Sequence, residues 1–125
     1  MSEATLKYVA NLMEGMGIPY EFMSWNSGQP PDCYFVGEYT EVPSLVKEEN
    51  GYQETTFILR GFTRQSWLLL EQAKAKIEKN ITKTAILDDG SGVAVFYESG
   101  MPVSTGDSEL KSIKINLNIQ EWKVN

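Results

Sequence analysis

Near the end of the chain, Ser112 to Gln120 alternates apolar and polar side chains without a break. Ile113, Ile115, Leu117 and Ile119 stand against Lys114, Asn116, Asn118 and Gln120. Successive side chains of an extended backbone point to opposite faces, so the four aliphatics share one face and the four polar groups the other. The strand over residues 111–122 therefore predicts a sheet with one dry face and one polar face. The dry face must be covered, and the polar face meets either water or a partner.

Two segments have the pattern needed to cover it. Over residues 3–16, Leu6, Val9, Leu12, Met13 and Met16 recur at three- and four-residue steps, which makes one apolar helical stripe. Ser2 suits the N-cap and Glu3 the positive end of the helix dipole, while Gly15, Gly17 and Pro19 stop the helix. A second helix is predicted over 64–80 with Thr63 as N-cap. Trp67, Leu70, Ala73, Lys74 and Ile77 line its inner side, the Lys74 stem packing while its amine stays wet.

Strands are predicted at Cys33–Tyr39, Tyr52–Arg60 and Val93–Glu98, from runs of β-branched and aromatic residues bounded by turn formers. The first two pair most simply as an antiparallel hairpin across an acidic 40–50 connection that ends at Asn50-Gly51. Ile18-Pro19-Tyr20 reads as a short extended piece leading to Phe22. Residues 24–32 and 99–109 read as loops, the second holding two glycines and Pro102. The expected fold is one α+β domain over residues 1–125. Two helices pack on one face of a mainly antiparallel sheet of four strands or more, in the order α-β-β-α-β-β.

The chemistry available is narrow. The chain has no histidine, so a Cys–His pair and a Ser–His–Asp triad cannot form within it. Cys33, the only cysteine, falls in an apolar strand and reads as a buried, inert thiol. A single cysteine makes no internal disulfide, which points to a reducing cytosol. In that setting Asn80-Ile81-Thr82 is a chance sequon. Asp88-Asp89-Gly90-Ser91-Gly92 is a turn, lacking the further carboxylates of a calcium loop and the Gly-Lys-Ser/Thr of a phosphate loop. Neither a signal peptide nor a membrane span is expected, and no cofactor, metal or enzymatic activity is expected.

Charge is uneven. Residues 1–54 carry nine acids against Lys7 and Lys47, and residues 55–125 carry eight acids against nine bases. Nonspecific nucleic-acid binding relies on clustered Lys and Arg and is disfavoured here. Trp25, Tyr34, Tyr39, Tyr52 and Trp122 lie outside the helix stripes and are open to core or interface roles.

The layout resembles a known family. Gly17–Tyr20 follows the opening helix, and a Pro-rich turn precedes Pro31–Tyr39 (PDCYFVGEY). Then Thr55–Thr63 (TTFILRGFT) feeds Trp67–Ile77 (WLLLEQAKAKI). Across nearly the whole chain this is similar to the tail-completion or tail-terminator proteins of long-tailed bacteriophages and prophages. The resemblance rests on element order, length and strand ends, and carries over no functional residue. It implies a non-enzymatic virion protein, assembled in the host cytoplasm, that caps the tail tube and joins tail to head. It implies a homo-oligomeric ring, commonly a hexamer, with the major tail protein and the head connector as partners and DNA passing through without specific binding. On that reading the expected interface includes Glu41, Glu48 and Glu49, which would line an acidic lumen. It also includes the polar row Lys114, Asn116, Asn118, Gln120 and Trp122. The alternative is a small acidic cytosolic binding module, such as an inhibitor or immunity-like protein.

Overall fold

The computed structural model describes residues 1–41 and 52–122. Eight elements follow one another: α1 (Glu3–Gly15), β1 (Tyr20–Phe22), β2 (Cys33–Glu41), β3 (Tyr52–Thr63), α2 (Trp67–Asn80), β4 (Lys83–Ile86), β5 (Gly92–Val103) and β6 (Lys111–Trp122). The six strands form one sheet in the order β1-β2-β3-β6-β5-β4. The expected fold is corrected: the element order is α-β-β-β-α-β-β-β, not α-β-β-α-β-β, and the six-stranded sheet is mixed. Both added strands are too short to show a period. β1 has three residues and runs parallel to β2, and β4 has four and runs antiparallel to β5. The backbone makes β1 a strand: Phe35 N–H donates to the Pro19 carbonyl at 2.9 Å and Met23 N–H to the Gly37 carbonyl at 2.8 Å. Met23 then takes φ +72°, which turns the chain away from the edge.

Smaller corrections have local causes. Helix α2 starts at Trp67, not 64, because Ser66 caps it, its Oγ accepting from Leu68 N–H at 3.1 Å. Thr63 stays in β3, donating to the Asp32 carbonyl at 2.7 Å and accepting from Gln65 N–H at 3.1 Å. Strand β5 runs through Gly100 and Pro102 to Val103, across the stretch expected to be loop. Its ladder shifts register between Tyr97 and Ser99, a bulge that lets the strand continue beside β6. Pro102 has no N–H to give, and its partner Ile113 lies opposite it on β6. That position is tolerable because β5 beyond Val95 has no strand on its outer side.

The core follows from register. Leu59 stands opposite Ile115, and Phe57 opposite Leu117. Ile119 is flanked by Thr55 on β3 and Val95 on β5. These residues share one face and join Val9 and Met13 of α1 and Leu70 and Ile77 of α2 in a single buried cluster. Each such side chain taken fully out of water contributes about 1.5–3 kcal/mol. Trp67, expected on the inner side of α2, is instead 42% exposed at the first position of the helix. Gly61 faces Phe35 across β2 and β3, and a Cβ at Gly61 would lie 2.5 Å from the Phe35 ring. Glycine is needed there because the ring fills the space a side chain would take.

Candidate interaction surface

Lys114, Asn116, Asn118, Gln120 and Trp122 point away from the core in one row along β6, and all are half-buried. Their neighbours are set by register. On the β3 side Arg60, Ile58, Thr56, Glu54 and Tyr52 lie opposite them in that order. On the β5 side Met101, Ser99, Phe96, Ala94 and Gly92 do. The row is tied sideways by amides: Asn116 Nδ2 donates to Ser99 Oγ at 3.0 Å, and Gln120 Nε2 to Asn118 Oδ1 at 3.3 Å.

Aromatic pairs bracket this face. Tyr52 and Trp122 face each other across β3 and β6 with ring centroids 6.1 Å apart. Towards the other end Tyr34 stands between Trp25 and Phe62, at 5.4 and 5.5 Å. Arg60 Nε donates to Glu38 Oε1 at 2.6 Å across β2 and β3, at partly exposed positions. On this face the exposed apolar groups lie on the β4–β5 side: Ile86 is 78% exposed, Met101 48% and Phe96 40%. The surface thus combines amides, one internally balanced ion pair and exposed hydrophobes. Such a mixture can bury apolar area against a protein while its polar groups find partners at the rim.

The structure does not bring all the expected interface residues together. Glu41 lies opposite Thr55, on the core side of the sheet and at its rim, away from the β6 row. Its carboxylate is met by the Met1 amino group and accepts from Gln53 Nε2 at 2.7 Å. Glu48 and Glu49 lie outside the described residues. Phe96, Met101 and Ile86 were not anticipated. The Val93–Glu98 alternation already placed Phe96 with Ala94, opposite Val93 and Val95. Met101 was hidden by reading 99–109 as loop, and Ile86 by the shortness of β4.

Among the described residues no three His, Cys, Asp or Glu side chains come together as a metal site. Cys33 is half-buried rather than fully buried, and burial pushes its thiol up from its ordinary value. Its Sγ lies 4.0 Å from the Leu69 carbonyl. A cleft of about 430 Å³ between α1 and the β4–β5 turn is lined by Glu3, Lys7, Asp88 and Asp89 among others. Asp89 is used internally: its carboxylate accepts from the Ser91 hydroxyl at 2.5 Å and from Ser91 N–H at 2.9 Å, and these bonds hold it below the usual carboxylate range. Among the described residues no helix is long and apolar enough to cross a membrane. No protein-family model matches the chain, and no curated protein matches it.

Proposed function

We propose that this chain is a structural subunit of a long-tailed bacteriophage, acting at the end of the tail tube as a tail-completion protein that joins tail to head. The observation that carries the reading is the sheet face opposite the core. It is long and half-open, and it holds Phe96, Met101 and the amide row of β6 on one face. A rigid sheet face with exposed apolar groups suits docking by shape rather than chemistry on a small substrate. The partners come only from the resemblance in length and strand ends, since the element order is not the one that resemblance used: further copies of the chain in a ring, commonly six, together with the major tail protein and the head connector. DNA passes through the ring unbound, and the chain's place is in the virion.

The reading is tested by complementation. Heads and tails made without this chain are mixed with the purified protein. Joined, infectious particles are the expected result, and no joining at any concentration contradicts the proposal.

A further inference from the structure

We propose that copies of this chain associate head to tail through the two outer edges of the sheet. The carboxylate-bearing β1–β2 edge of one copy meets the lysine-bearing α2–β4 edge of the next. The inference rests on the ring reading above and names the surfaces that the ring would use.

The two edges carry opposite charge, and their ion pairs within the molecule do not cancel it. Residues 20–41 hold four carboxylates and no lysine or arginine. Arg60 offsets Glu38, and the chain's amino group meets Glu41. Glu21 accepts from the backbone N–H groups of Asn26 and Ser27, at 3.0 and 3.2 Å, and the Asn26 bond first, then the Ser27 side chain, keep its carboxyl below the usual range. Asp32 has no cationic partner among the described residues. At the far edge residues 74–84 hold four lysines against Glu78. Lys74 reaches Glu78 at 3.9 Å, and Lys76 donates to the Met16 carbonyl at 3.2 Å. Lys79 and Lys83 have no carboxylate partner among the described residues. Asp88 and Asp89 sit in the turn beyond the far end of β4, so the basic strip is confined to the end of α2 and the start of β4.

Exposed apolar groups flank both strips. Phe22 and Met23 are 37% and 61% exposed at the acidic edge, and Ile86 is 78% exposed at the basic one. β1 and β4 are the terminal strands of the sheet, so Glu21 and Lys83 lie on its two outer edges. A ring requires this arrangement: two different, complementary patches whose rotation closes. Two-fold pairing would set like charges face to face and is disfavoured. Extended strand addition is disfavoured too. The edge strands are short, Tyr97 N–H is covered by Thr82 Oγ1 at 3.3 Å, and Pro102 offers no donor. The contact is therefore made by side chains.

The test uses the full-length chain, sedimentation velocity and two charge reversals. Wild type is expected to associate at low ionic strength and to dissociate as salt rises, since exposed charges are screened. The variant Glu21→Lys with Asp32→Lys, and the variant Lys79→Glu with Lys83→Glu, should each remain monomeric. Their equimolar mixture should associate again, because each now carries the edge the other lacks. Recovery in the mixture also shows that both variants are folded. Wild type that stays monomeric at millimolar concentration and low salt overturns the inference. So does wild-type association that neither reversal weakens, or a mixture that stays monomeric. None of these results touches complementation of heads and tails, which tests the tail reading separately.

Discussion

Thr5 Oγ1 donates to Glu121 Oε2 at 2.7 Å, joining the first turn of α1 to the end of β6. The same carboxylate oxygen accepts from Ser2 N–H at 3.2 Å. Ser2 is the N-cap, and its Oγ accepts from Thr5 N–H at 3.1 Å. A capping box ordinarily places an acid at Thr5's position to receive the N-cap N–H. Here a residue from the last strand does so, at the positive end of the helix dipole. The bond docks α1 on the sheet and explains a glutamate that is only 8% exposed.

Replacing Thr5 by Val keeps the shape and removes the donor. The loss expected is about 1.5–3 kcal/mol, the range for a buried hydrogen bond to a charged group. Urea denaturation should show a lower midpoint with an unchanged slope. Glu121→Gln keeps an acceptor for both donors and should cost less than Glu121→Ala.

Gly61→Ala should destabilise by about 1–3 kcal/mol, the usual cost of overpacking, because the new methyl meets the Phe35 ring. The double variant Gly61→Ala with Phe35→Leu should recover part of the loss. A thermal-melt cycle over the four proteins measures that coupling.

Ser66→Ala should cost about 1 kcal/mol through loss of the α2 cap. The loss is read by chemical denaturation. In hydrogen exchange, the amide of Leu68 should lose protection before those near Ile77.

Asp107 at the β5–β6 tip gives a pH-dependent prediction. Its carboxylate accepts from Glu109 N–H at 2.9 Å, and Arg64 lies 3.2 Å away. The Glu109 bond first, then Arg64, holds its carboxyl below the usual aspartate range. A carboxyl depressed on folding contributes stability above its unfolded pKa and loses that contribution as pH falls through the lower folded value. An NMR titration should show Asp107 titrating below the usual aspartate range. Arg64→Ala should raise its midpoint without returning it to the ordinary value, since the backbone bond remains.

Where a residue period was long enough, its face could be read from the residues alone. The β6 alternation placed Ile113 to Ile119 inward and Lys114 to Gln120 outward, and the stripe of α1 placed Val9 and Met13 in the core. Strands of three and four residues have no period to read, so β4 was missed, and β1 was read only as a short extended piece leading to Phe22, without its parallel pairing to β2. Pro102 and two glycines suggested a loop, whereas an uncovered edge tolerates Pro102 and a bulge takes up the register shift. The β6 row of the candidate surface was legible for the same reason as the core. Its aromatic brackets were not, because Tyr52 meets Trp122 through strand pairing across a long stretch of chain, and Trp25 meets Tyr34 through the fold of a loop that shows no period.

On the proposed tail-completion reading, the most direct test is electron microscopy of particles assembled from a phage or prophage genome that carries this chain, with only the chain deleted. The account predicts filled heads and separate tails, many of them overlong, with joined particles restored when the chain is supplied again. Normal joined particles of normal tail length in its absence would contradict it.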